Sequence, residues 1–164
     1  MNMLFAPRLF CSVVSVALLA GCERADKTPG DPATIGHHQH EHHAPHGGTA
    51  VALGDEAFHL ELVLDAASGE LRAFVLDGEM ENFVRCAMPS FEMNATSGGQ
   101  THRLIFAPVA DEATGETVGD TSLFAATAEW LKHMREFDAS IPLLTIRGAT
   151  FRDVAVRFPD GHEH

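Results

Sequence analysis

The chain has 164 residues, 45% hydrophobic and 21% charged, with 14 Gly, 8 Pro, 3 Cys, 1 Trp and no Tyr, an ordinary globular composition. Eleven Lys and Arg stand against 23 Asp and Glu, and a formal charge of −12 repels phosphate backbones and anionic headgroups, which argues against nucleic acid as a partner. Histidine is what departs from average: of 11 copies, His37, His38, His40, His42, His43 and His46 fall within ten residues.

Residues 1–21 read as an export signal. One cation, Arg8, precedes the apolar stretch Leu9 to Ala20, which is shorter than the roughly 20 apolar residues a membrane-spanning helix needs. Leu19-Ala20-Gly21-Cys22 is similar to a bacterial lipobox, in which the cysteine is acylated and becomes the first residue of the mature chain. The resemblance implies lipidation of Cys22, anchoring by several acyl chains, and, with Glu23 rather than Asp beside it, an outer-membrane position facing the periplasm. Cleavage would remove Arg8 and Cys11, giving a formal charge of −13 and leaving Cys86 as the one thiol.

Residues 22–48 comprise that cysteine and a Pro-, Gly- and charge-rich stretch without periodicity, read as a disordered tether ending in the histidine cluster. From Thr49 the pattern changes to short alternating runs punctuated by Gly, Asp and Asn about every ten residues. This predicts an all-β fold over 49–159: an antiparallel, Ig-like β-sandwich of seven to nine short strands, followed by a disordered tail, 160–164.

The predicted strands are Thr49 to Leu53, Phe58 to Asp65, Glu70 to Leu76, Phe83 to Met88, Phe91 to Ala95, His102 to Val109, Ser122 to Thr127, Leu143 to Arg147 and Phe151 to Phe158. In the second, Phe58, Leu60, Leu62 and Leu64 share one face and His59, Glu61 and Asp65 the other. Ala128 to Phe137 is the one stretch with helical spacing, expected as a short helix or turn. Asp65-Ala-Ala-Ser-Gly-Glu70 and Asp111-Glu-Ala-Thr-Gly-Glu116 echo one another as turns ending in a left-handed glycine, without the acidic spacing of a calcium loop.

Imidazole suits zinc, copper, nickel and cobalt, and six imidazoles on a flexible segment give overlapping ligand pairs. The predicted metal ligands are His37, His38, His40, His42, His43 and His46. If the first two strands pair around Gly54 and Asp55, His46 comes within reach of His59 and Glu61, a second candidate site of two histidines and a carboxylate. Met80, Cys86, Met88 and Met93 are softer candidates that core burial also explains, and His162 and His164 flank Glu163 near the carboxyl end. A nucleophile elbow, a phosphate loop, His-Glu-x-x-His and Cys-x-x-Cys are all lacking, so the chain reads as a binder and not an enzyme.

His46-Gly47-Gly48, Gly54-Asp55, Glu61-Leu62, Arg72-Ala73-Phe74, Asp77-Gly78 and Leu104-Ile105-Phe106-Ala107-Pro108 together resemble the amino-terminal periplasmic β-domain of membrane-fusion adaptors of cobalt-zinc-cadmium type efflux pumps, and stand-alone His-rich lipoproteins. The likeness covers residues 46–110 best. That family's Pro-His-Ser-Phe element is missing, and the adaptor's hairpin and barrel segments do not follow. It implies a β-domain near a heavy-metal efflux system, with zinc or copper as ligand. Two functions are expected from these features: a lipid-anchored periplasmic protein that captures or buffers divalent metals, or a non-enzymatic envelope interaction module whose His-rich linker responds to pH.

Overall fold

The computed structural model describes residues 43–161; the signal, Cys22, His37 to His42, His162 and His164 lie outside them. Eight antiparallel strands make up this part: β1 (Thr49–Leu53), β2 (Phe58–Asp65), β3 (Glu70–Asp77), β4 (Phe91–Ser97), β5 (Gln100–Pro108), β6 (Leu123–Thr127), β7 (Phe137–Ile146) and β8 (Ala149–Phe158). A short 3-10 turn, Glu129–His133, links β6 to β7 and buries Leu131. The all-β class, the strand number and the single short helical element follow the sequence patterning.

The strands form one sheet in the order β1-β2-β3-β6-β5-β4-β7-β8, where an Ig domain has two separate sheets. Its sandwich character comes from β5, which pairs with β4 from Gln100 to Phe106 and then with β6 at Ala107 and Pro108. The two halves joined by β5 share one core, in which Phe91 stacks on Phe106 at 4.5 Å and meets Phe124 edge-on at 5.7 Å. Such aromatic pairs add about 0.5–1.5 kcal/mol each beyond the area they bury. The outer strands approach each other and nearly close the sheet. Thr49 Oγ1 donates to the Pro159 carbonyl at 2.8 Å, and the Phe58 and Phe151 rings meet edge-on.

Three expectations change. Phe83 to Met88 is not a strand: it makes isolated bridges at Leu76–Phe83 and Cys86–Thr121 while laying Val84 and Cys86 into the core. Its alternation records burial of every second residue, which an extended covering segment shows as well as a ladder does. Strand β7 begins at Phe137, well before Leu143, with Pro142 inside it. Finally, the folded part reaches past 49–159 at both ends, because His46 and Gly48 bond to β2 and Gly161 exchanges backbone bonds with Arg157.

Both echoing turns form. Asp65 and Asp111 each accept the N–H two residues on, at 2.9 and 2.8 Å, and Gly69 and Gly115 take positive φ of 74° and 69°. No helix among the described residues is long and apolar enough to cross a membrane.

Candidate functional site around His46 and Glu61

Strand β2 lies between β1 and β3, so its polar face is not that of an edge strand. Leu60 and Leu62 enter the core on one side, and Glu61 is 0% exposed on the other. A carboxylate at that depth needs partners, since an unpaired one costs several kcal/mol, of order the desolvation of the ion. The segment just before β1 supplies them. Glu61 Oε1 accepts the His46 N–H at 2.7 Å and the Gly48 N–H at 3.0 Å, and Oε2 lies 2.8 Å from His46 Nδ1.

The His-Gly-Gly sequence is what allows this approach. Gly47 turns the chain at φ 67°, closed by its N–H to the Ala44 carbonyl at 2.9 Å. Gly48 then lies flat on β2, where a Cβ would fall 2.5 Å from the Leu62 carbonyl oxygen and 2.7 Å from Val63 Cγ2. Without that clearance the two N–H groups would not reach Oε1.

The His46 ring is held on three sides but left open on the fourth. It stacks on Phe74 at 3.9 Å and 17°, with Phe83 tilted against it at 5.6 Å. A carboxylate only accepts, so the hydrogen-bond geometry places a ring hydrogen on Nδ1, and in the neutral ring the lone pair is then on Nε2. The side chain stays 39% exposed.

Of the other predicted ligands, His43 is exposed and His59 is buried, its Nδ1 3.3 Å from the Asp77 carbonyl oxygen. Of the expected site of His46, His59 and Glu61, the pairing of His46 with Glu61 is present, and His59, two residues along β2, does not join them as a third ligand. Among the described residues, no three His, Cys, Asp or Glu converge closely enough to hold a metal by themselves. Met80, Cys86 and Met93 are buried in the core and Met88 is half-buried; burial pushes the Cys86 thiol above its ordinary pKa. His102 stacks on Trp130 at 4.5 Å.

Sequence reading missed a second buried carboxylate beside the first. Glu116 Oε1 accepts the Ser122 N–H and hydroxyl at 3.0 and 2.6 Å, and Oε2 takes the Thr114 hydroxyl at 3.2 Å. Arg85 Nε lies 3.6 Å from Oε1, and its other nitrogens reach the Thr114 and Gly115 carbonyls and Asp120. His46, Phe74, Phe83, Arg85 and Glu116 all line one groove of about 350 Å³. Comparison of this chain with protein-family models, curated proteins and solved structures finds no match.

Proposed function

We propose that this chain is a lipid-anchored periplasmic metal-binding protein that captures or buffers divalent transition metals, zinc or copper foremost, and passes them to a heavy-metal efflux complex. One observation carries the reading: a half-exposed imidazole, His46, gives its Nδ1–H to a fully buried carboxylate, and among the described residues no hydrogen bond engages its Nε2. Metal-ligating histidines almost always donate their second ring N–H in this way, which fixes the tautomer and raises the basicity of the ligating nitrogen. Glu61 in this reading acts on the metal through His46.

His46 is one donor, and the remaining donors come from the adjoining run His37, His38, His40, His42 and His43. Ordering a chain segment around an ion costs about 1–2 kcal/mol per residue, so one imidazole already fixed by the fold lowers that cost. The metal is cargo, held by exchangeable imidazoles, and protons compete for the same nitrogens as pH falls.

The test is a competition titration of zinc and copper(II) against the full chain in detergent at pH 7.5. Alanine at all of His37 to His43 removes most of the bound metal. Glu61→Gln, which keeps the shape but loses one acceptor, weakens the tightest site by about 10- to 100-fold. Parental affinity in both Glu61→Gln and His46→Ala overturns the role given to His46.

A further inference from the structure

The far side of the Arg85–Ser90 segment faces a second, larger groove. Its volume is about 660 Å³, and its lining includes Met88, Ser90, Leu143, Thr145 and Arg147. Along one wall runs the end of β7. The β4–β7 ladder has partners from Thr96–Asp138 to Asn94–Ser140 and no further, while β7 continues to Ile146 paired with β8 alone. Among the described residues, Leu143 to Ile146 therefore has a ladder partner on one side only.

Register decides which polar groups point into the groove. Arg147 and Gly148 have φ of 48° and 88°, the two left-handed residues of a tight hairpin turn, and Ile146 and Ala149 close it. A closing pair exchanges backbone hydrogen bonds, and along an antiparallel ladder such pairs alternate with non-bonded ones. Ile146 and Leu144 thus spend their N–H and C=O on β8, and Leu143 and Thr145 turn theirs away from β8 to the groove. Among the described residues, neither makes a backbone hydrogen bond across it to the Arg85–Ser90 segment. The Leu143 side chain is 47% exposed beside this edge.

Charge indicates what fits. In a chain of formal charge −12, this groove carries two guanidinium groups against one carboxylate, Asp120. Arg85 is matched by Glu116 and Asp120, whereas Arg147 has no carboxylate partner among the described residues and rests its Nε 3.5 Å from the Arg85 carbonyl. An edge strand left open is a template for an added strand, and the free cation selects an acidic one.

We propose that the Leu143–Arg147 edge of β7 is a docking site for an extended, acidic peptide segment of a partner protein, which adds to the sheet as a ninth strand with a carboxylate on Arg147. This site shares only Arg85 with the His46 groove and does not depend on metal.

The test uses the full chain in detergent and a fluorescein-labelled peptide of alternating Val and Glu, about eight residues long, enough to cover the edge of about 17 Å. Fluorescence anisotropy is expected to show saturable binding, unchanged by chelator, and at least tenfold weaker binding to the Val and Lys counterpart. Methylating alternate amide nitrogens of the Val-Glu peptide in one phase abolishes binding, and in the other phase spares it; this needs no change in the protein. Arg147→Glu erases the preference for Glu over Lys. Equal binding of both methylated peptides, no preference for the acidic peptide, no binding at all, or an edge occupied by a second copy of this chain would each overturn the proposal.

Discussion

Glu61 and Glu116 are two buried carboxylates, one behind the groove through His46 and one lining it, and they end in opposite conditions. Each accepts two N–H or O–H groups on one oxygen, from His46 and Gly48 or from Ser122. Past Glu116 the chain of bonds closes on Arg85, whose guanidinium is already taken up by two carbonyls and Asp120. Past Glu61 it ends on an imidazole whose other nitrogen has no hydrogen-bond partner among the described residues. Burial alone thus does not mark a site; what the last partner has left to offer does.

The largest expected effect tests whether the two carboxylates are alike in folding and unlike in function. Alanine at either position leaves buried donors without an acceptor, at about 1–3 kcal/mol per orphaned group. Glu61→Ala and Glu116→Ala should each lower the unfolding free energy in urea by about 3 kcal/mol. Zinc affinity should fall in Glu61→Ala and hold in Glu116→Ala at a temperature where both are folded. An equal fall in both would make the groove, and not the His46 ring, the determinant.

Gly48→Ala sharpens the same contrast from the backbone side. The added methyl meets the Leu62 carbonyl at 2.5 Å, so the segment must lift off β2 and lengthen the His46 and Gly48 bonds to Oε1. A loss of about 1–3 kcal/mol is expected, the range for overpacking a tight contact, together with weaker zinc binding. Gly47→Ala, with open space around its Cβ, should cost about 1 kcal/mol through its positive φ alone.

The fold was legible where burial alternates along a ladder. Phe58 to Asp65 and Thr49 to Leu53 are found with the bounds expected, and turn chemistry at Asp65 and Asp111 placed two loops. It was illegible where the same alternation serves an extended covering segment without a ladder, as at Val84 and Cys86, and where Pro142 stands inside β7 opposite a left-handed Asp153 that interrupts the pairing for one step. Of the site, the approach of His46 to Glu61 follows from the hairpin. The burial of Glu61 does not, because Leu60 and Leu62 already account for the buried face of β2. Arg85, Glu116 and Ser122 leave no local pattern, since two separate connections, β3–β4 and β5–β6, bring them together.

A third carboxylate does the work of Glu61 at the surface and sets the lower end of the comparison. Asp77 Oδ1 accepts the Glu81 and Asn82 N–H groups at 3.0 and 3.2 Å, and Oδ2 takes the Asn82 side-chain amide at 2.7 Å. The Asn82 side-chain bond, with help from the backbone N–H groups, holds its pKa below the ordinary carboxylate value. A pKa lowered by folding adds stability that is complete above the unfolded value and is lost as pH falls through the folded one. Asp77→Asn keeps an acceptor for the two backbone groups and sets amide against amide at Asn82, so it should cost under about 1 kcal/mol. Thermal melts of parent and variant should therefore differ slightly at pH 6 and converge as the pH drops below the ordinary carboxylate range. A gap as wide as that of Glu61→Ala, or one that persists in acid, would mean that exposure does not weaken these bonds and that the contrast between buried and exposed carboxylates is false.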